Sequence, residues 1–338
     1  MTKPLVVVDA DVLGRERTGD ETYVENLLRR LPGAAEGALR FAAVTRHPEL
    51  VPDGVRAIEL TTGSQELRMA WTLPRLLRRL RPALAHFQYA LPLVCPWPAI
   101  VTVHDLSFER DARAMSRRDR FVFRTVVPRS VRRAAHVFAV SERTRHDLID
   151  LYATPPAKIT VTPNAVDPAF SPGGERDGYL LFVGAIQERK NPLAAVDAAA
   201  EVGMPLVVVG PEKEPALARE LERRGAQLRG YVEKPQLADL YRGAACLVLP
   251  SRYEGFGLPV LEAMACGTPV VATDEPALRE VGGDAAVYAD SDGLAEAVRR
   301  ALRESEDRSR AGIERARLFS WEESARRAVA AYRAVLAL

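Results

Sequence analysis

The sequence predicts an α/β fold made of two doubly wound halves, each a parallel sheet covered by helices. Three observations carry this. Most apolar runs are short stretches of Val, Ile and Leu without polar alternation, which marks strands buried on both faces. Longer segments with a helical period separate them. A stretch rich in Pro and Gly at 162–174 divides the strands into two groups and reads as the linker. With 338 residues the chain is long enough for two domains that each bury a core.

In chain order, the first group of candidate strands is 5–8, 41–44, 57–60, 84–87, 100–103, 137–140 and 159–161. The second is 180–183, 206–209, 227–229, 247–249, 270–272 and 286–288. Helical patterns fall between them, for example at 21–31, 73–80, 119–134, 194–201 and 214–224, and a last amphipathic helix starts at Trp321. Two such halves facing each other make a cleft, and ligands of these sheets bind outside the carboxyl ends of the strands.

Composition narrows the function classes. Apolar residues make up 47% and charged residues 27%, ordinary for a folded protein. The net charge of +2 excludes a nucleic-acid binder driven by bulk charge and argues against disorder. The halves differ: 1–168 holds 25 basic and 19 acidic residues, and the remainder is net acidic by four. Of the 47 basic residues five are Lys, an excess of Arg spread along the chain and read as coding bias. The longest apolar run, 90–103, carries three prolines and is too short to cross a bilayer. No signal-peptide pattern opens the chain. Cys95, Cys246 and Cys266 are odd in number and lack Cys-x-x-Cys spacing, so neither a disulfide framework nor a zinc knuckle is expected and a reducing cytoplasm is the default location.

The most informative stretch is 250–272, Pro-Ser-Arg-Tyr-Glu-Gly-Phe-Gly-Leu-Pro-Val-Leu-Glu-Ala-Met-Ala-Cys-Gly-Thr-Pro-Val-Val-Ala. A strand runs into a glycine loop, a helix starts near Pro259 and ends at Cys266-Gly267, and another strand follows. A glycine loop opening a helix at the carboxyl end of a strand offers amide N–H groups and a positive dipole end to a phosphate. Glu254 lies before the helix and Glu262 one turn inside it. Two carboxylates so placed address different parts of one ligand, Glu262 the hydroxyls deeper in the site. Taken singly, each Glu also reads as a helix-stabilising acid in a first turn.

This Glu-x7-Glu stretch resembles the signature of the family 4 retaining glycosyltransferases of the GT-B fold, and the similarity extends along nearly the full chain. The resemblance implies two Rossmann-like doubly wound domains facing a cleft: an acceptor-side domain at 1–168, a nucleotide-sugar domain at 169–318, and a terminal helix at 319–338 crossing back to the first. It implies a hexosyltransferase taking a nucleotide-diphosphate sugar as donor, GDP-mannose ahead of UDP- or dTDP-sugars, and a hydroxyl of a glycan, lipid-linked or small-molecule acceptor. Leu181-Phe-Val-Gly-Ala-Ile-Gln-Glu-Arg-Lys-Asn-Pro192 is similar to the strand and loop whose cations grip the donor diphosphate. It gives that role to Arg189 and Lys190, with Gly184 at the strand end. Chemically, two adjacent cations neutralise a departing diphosphate. Thr102-Val-His-Asp-Leu106 is similar to the segment whose His faces the donor sugar, which selects His104 and leaves Asp105 as a turn cap. Glu254 joins His104 on the sugar. The resemblance makes Gly255, Phe256, Gly257 and Leu258 the phosphate loop. Gly19, followed by Tyr23 and Leu27, matches the first loop, although Arg15, Glu16 and Arg17 stand where the family has more glycine. Tyr231 and Val232 lie in the segment that reads the base through its backbone. Ser141-Glu142 and Pro163-Asn164 follow the pattern as hinge and cleft wall.

No cofactor is implied. No metal is expected either, because cationic side chains and amides hold the diphosphate and the sequence is read as showing no Asp-x-Asp that would supply one. Three other classes stand beside this reading: a sugar-nucleotide hydrolase or phosphorylase of the same fold, a non-catalytic partner subunit, and a nicotinamide oxidoreductase, which lacks its Gly-x-Gly-x-x-Gly after the first strand. Nucleic acid is not an expected partner. Nine Arg against three acids at 109–133, interleaved with Phe108, Phe121, Phe123 and Val126, read either as a basic amphipathic helix for peripheral contact with the inner face of a membrane or as a solvated face at the acceptor entrance.

Overall fold

The computed structural model describes residues 3–15, 19–111, 115–174 and 177–337. Glu16 and Arg17 of the first loop lie outside the described residues. The chain folds into two compact units. One holds Met1–Glu109, Arg117–Asn164 and Trp321–Leu338, the other Arg110–Ser116 and Ala165–Ser320.

The first unit contains β1 (Leu5–Asp9), β2 (Arg40–Thr45), β3 (Arg56–Glu59), β4 (Leu84–Gln88), β5 (Ala99–Val103), β6 (His136–Ala139) and β7 (Ile159–Val161). They pair in the order β3-β2-β1-β4-β5-β6-β7, every pair parallel. Its helices are α1 (Gly19–Ala34), α2 (Gln65–Leu67), α3 (Leu73–Leu80), α4 (Ser107–Arg110), α5 (Arg117–Arg133) and α6 (Glu142–Tyr152), with a π turn at Arg68–Thr72. Ser141 caps α6 by accepting from the Thr144 amide at 3.0 Å.

The second unit contains β8 (Tyr179–Val183), β9 (Leu206–Val209), β10 (Gln227–Leu228), β11 (Ala244–Leu249), β12 (Val270–Ala272) and β13 (Val287–Tyr288), in the parallel order β10-β9-β8-β11-β12-β13. Around it lie α7 (Pro192–Val202), α8 (Pro215–Arg223), α9 (Lys234–Gly243), α10 (Leu258–Ala265), α11 (Pro276–Gly282), α12 (Leu294–Arg303) and α13 (Ser305–Ala316). Five of these start with Pro in the first two positions, where its missing N–H costs nothing. In both sheets the winding reverses beside the first strand, between β1 and β4 and between β8 and β11, and such a switch point opens a crevice at the strands' carboxyl ends.

The strands coincide with the expected apolar runs. β11 starts three residues earlier than its run, because Ala244, Ala245 and Cys246 are small and buried and extend the strand without bulky side chains. α14 (Trp321–Leu336) packs on α1 in the first unit. Polar contacts anchor it: Ser324 donates to the Pro163 carbonyl at 2.5 Å, and the Tyr332 hydroxyl meets His86 Nδ1 at 2.8 Å. His86 is fully buried, holds Thr102 Oγ1 at 2.7 Å through Nε2, and burial pushes its pKa down to about 3. It is therefore a neutral ring spliced into a core.

Candidate active site

In the second unit the loop between β11 and α10 turns inward. Tyr253, Glu254 and Phe256 are all buried. Gly257 has φ of +101°, a conformation that favours glycine, and a Cβ there would stand 2.7 Å from Leu278 Cδ2, so that side chain would have to shift. α10 then starts at Leu258, whose amide has no intrahelical acceptor because it belongs to the first turn. The helix closes at Cys266, and Gly267 follows in the left-handed region, as the sequence predicts.

Arg189 and Lys190 sit on a 3₁₀ turn, Glu188–Lys190, just beyond β8. The switch point brings them to Glu254, which is 64 residues beyond Lys190. Lys190 Nζ lies 2.5 Å from Glu254 Oε1, Arg189 Nη1 lies 4.0 Å from Oε2, and Arg189 Nη1 donates to the Tyr253 carbonyl at 2.5 Å. Burial pushes the Glu254 carboxyl up, but Lys190 and Arg189 outweigh it and hold it below the usual carboxylate range. The Arg189 Nε is buried with no hydrogen-bond partner among the described residues. A buried guanidinium N–H left unsatisfied is the condition a bound anion relieves.

Glu262 is half-buried, and its Oε2 accepts from the Tyr241 hydroxyl at 2.8 Å. Tyr241 is fully buried. Burial and the Glu262 charge push its hydroxyl well above the usual range, so it is a permanent donor. The sequence reading missed Tyr241, since nothing in its local pattern points to α10. The Phe256 ring is buried and packs edge-on to Phe319 at 5.8 Å. Tyr231 is exposed and Val232 half-buried, both between β10 and α9. Gly184 follows β8, so close to the end of β9 that a Cβ on Gly210 would stand 2.1 Å from the Gly184 carbonyl oxygen.

In the first unit His104 follows β5, buried at the carboxyl end of the sheet. Its Nε2 meets Gln88 Oε1 at 2.9 Å, and its ring packs against Tyr23 at 5.2 Å and Tyr89 at 5.4 Å. Burial pushes the imidazole below its ordinary value against the pull of Asp20 and Asp105. Gln88 and Tyr89 are further residues that the sequence reading missed. Tyr89 holds a left-handed backbone (φ +59°), unusual for an aromatic residue and concentrated at working sites. Asp105 accepts from the Ser107 amide and hydroxyl at 2.9 and 2.8 Å and so caps the turn into α4. Gly19, read as a loop glycine, is the first residue of α1, and Tyr23 and Leu27 of that helix are buried.

One expectation needs correction. Asp9-Ala-Asp11 and Asp290-Ser-Asp292 do have Asp-x-Asp spacing. Asp9 pairs with the buried Arg68, and Asp11 receives Arg46 Nε at 2.8 Å and Arg15 Nη2 at 3.1 Å. Guanidinium groups occupy the positions a cation would take. Asp290 Oδ1 accepts from the Gly293 amide at 3.0 Å. Among the described residues no group of three or more His, Cys, Asp and Glu side chains is placed to hold a metal ion.

Two parallel sheets with reversal at the first strand, a cationic pair and a glycine-opened helix define the architecture of the GT-B glycosyltransferases. Sucrose-phosphate synthase from Thermosynechococcus elongatus superposes with a TM-score of 0.78 at 22% identity, covering 99% of this chain and 100% of that one. WaaG, a glycosyltransferase involved in lipopolysaccharide biosynthesis, superposes at 0.71 and 17% identity, covering 96% and 98%. Residues 18–170 match the family described as Glycosyltransferase Family 4, and residues 177–304 the one described as Glycosyl transferases group 1. The O-antigen chain mannosyltransferase B of Escherichia coli is 31% identical over 267 residues, 70% of each chain. The D-inositol 3-phosphate glycosyltransferase of Kribbella flavida is 34% identical over 248 residues, 60% of this chain and 57% of that one. The chain thus belongs to the family 4 glycosyltransferases, and it is an enzyme of that class.

Proposed function

We propose that the protein is a retaining glycosyltransferase that moves a hexosyl group from a nucleotide-diphosphate sugar to a hydroxyl of a glycan, lipid-linked or small-molecule acceptor. The observation that carries this reading is the cluster of Arg189, Lys190 and Glu254 at the switch point of the second sheet, with a buried guanidinium N–H awaiting an acceptor. When the bond between the anomeric carbon and the phosphate oxygen breaks, negative charge collects on the diphosphate. Arg189, Lys190 and the amides at Gly257 and Leu258 stabilise it, each pre-placed donor being worth roughly 2.7–4 kcal/mol by analogy with oxyanion-hole deletions. Because Lys190 is paired with Glu254 in the free protein, the diphosphate competes for it and releases the carboxylate to the hydroxyls of the sugar.

Glu262 accepts from the ribose hydroxyls, and the backbone at Tyr231 and Val232 reads the base. His104, neutral because it is buried, hydrogen-bonds the sugar ring. The acceptor hydroxyl attacks on the face the leaving group departs from and passes its proton to a phosphate oxygen, so no protein base is assigned. No metal is assigned to the diphosphate, whose charge the cations and amides meet. GDP-mannose is the first donor, supported by the likeness to a mannosyltransferase, and UDP- and dTDP-sugars follow.

A thermal-shift panel of GDP, UDP, dTDP and ADP tests the donor, since a ligand of the folded form raises its apparent stability by mass action. GDP should give the largest shift. Proton NMR of the product formed from the preferred donor should show the donor's anomeric configuration. An inverted product, or no shift with any nucleotide, would sink the reading.

A further inference from the structure

We propose that the first unit docks on an anionic lipid bilayer through a patch that three of its segments build together. Leu67 and Trp71 belong to α2 and the π turn, Leu93 and Val94 to the loop after β4, and Phe121 and Val122 to the start of α5. Their exposures run from 41% for Val94 to 73% for Phe121. These six are most of the ten large apolar side chains exposed among the described residues, so the exposure is concentrated rather than scattered.

The segments touch. The Leu93 amide donates to the Met69 carbonyl at 3.1 Å. Arg118 Nη2 lies 4.0 Å from Glu66 Oε1, one residue before Leu67, and Arg133 Nη1 reaches the Leu93 carbonyl at 3.5 Å. Leu67 and Trp71, four apart, share one face of their turns. Arg118 is three and four residues before Phe121 and Val122 and shares theirs. Of the other aromatic residues of the basic stretch, Phe108 is buried and Phe123 half-buried, the two rings packing at 5.4 Å, so Phe121 is the one that α5 exposes most.

The rim is cationic. α5 exposes Arg117, Arg118, Arg124, Arg129, Arg132 and Arg133 against Asp119, its single acid. Arg75 lays its guanidinium over the Trp71 ring at 3.4 Å, pairing an apolar ring with a charge as at a membrane interface. This charge selects the occupant. A second copy of the chain would set one cationic rim against another in an isologous contact. An anionic bilayer offers headgroups to the rim and hydrocarbon to the apolar centre. No described helix is long and apolar enough to cross a membrane, so the contact is peripheral.

The inference does not rest on the donor reading, and its test needs no substrate. The full chain is sedimented with vesicles of phosphatidylcholine alone and with vesicles holding roughly one-third phosphatidylglycerol. Binding should be at least about tenfold tighter to the anionic vesicles and should weaken steeply with added salt. The double variant Phe121→Asp, Leu93→Asp changes two exposed side chains. It should keep the melting temperature and the nucleotide-induced shift while losing about tenfold in vesicle binding. Absence of vesicle binding, equal binding to neutral and anionic vesicles, or an unaffected double variant would overturn the proposal. So would sedimentation showing that the two substitutions abolish a dimer instead, which would assign the patch to a second copy.

Discussion

Replacing Lys190 by Met keeps most of the alkyl volume and deletes one charge. Its Nζ stands 2.5 Å from Glu254 Oε1, and the two side chains are 12% and 7% exposed. Removing one partner of a buried pair costs about 3–5 kcal/mol when the other stays charged. Glu254 limits that loss in two ways. Arg189 remains 4.0 Å away, and the carboxyl can take up a proton once the attraction that holds it low is gone. The stability cost should therefore fall below that range, and denaturant unfolding would read it. In the proposed reaction catalysis has no such escape, because the leaving diphosphate would lose one of its donors. Turnover should drop by about 10²–10³ while the donor KM moves a few-fold. The pH profile carries the sign: Lys190 lowers the Glu254 carboxyl, so in Lys190→Met the activity that needs this carboxylate ionised should begin at higher pH than in the wild type. Initial rates at varied donor concentration from pH 5 to 8 measure all three quantities. If turnover is unchanged and KM alone rises, Lys190 contributes uniform binding and the leaving-group argument is wrong.

Three further outcomes are expected. Tyr241→Phe removes the donor to Glu262 Oε2 and should weaken nucleotide binding about tenfold with kcat unchanged, the effect of one hydrogen bond to a charged group; isothermal titration checks it, and Glu262→Ala measured alongside separates a failure of the tyrosine from a failure of the carboxylate. His86 binds a proton at about 3 in the folded chain and near 6.5 unfolded, so the unfolded state gains protons first as pH falls and stability is lost from about pH 6.5 downward at roughly 1.4 kcal/mol per pH unit. Urea midpoints at pH 7 and 5 should converge between wild type and His86→Gln as the pH drops, and parallel curves would count against a neutral buried ring. Gly210→Ala should destabilise the second unit by about 2–4 kcal/mol, since its Cβ would stand 2.1 Å from a backbone oxygen with φ at +143°; calorimetry reads it.

The strands and the two-unit order were open to the sequence because a strand buried on both faces needs an unbroken apolar run, and a run survives without knowledge of its neighbours. The loop at 250–257 was equally open. Its geometry is local: glycine, proline and the two glutamates lie within one strand, one turn and one helix. What the tertiary structure alone decided is which distant charges meet. Lys190 finds Glu254 across 64 residues, Tyr241 finds Glu262 across 21, and Arg68 finds Asp9 across 59. No local pattern encodes such a pairing, because it depends on which strands lie side by side and where the winding reverses. The same reason explains Phe256, whose buried ring lies edge-on to Phe319, 63 residues away. It explains α5 as well, where composition announces a basic aromatic stretch and packing alone determines that Phe121 is exposed while Phe123 is half-buried against Phe108.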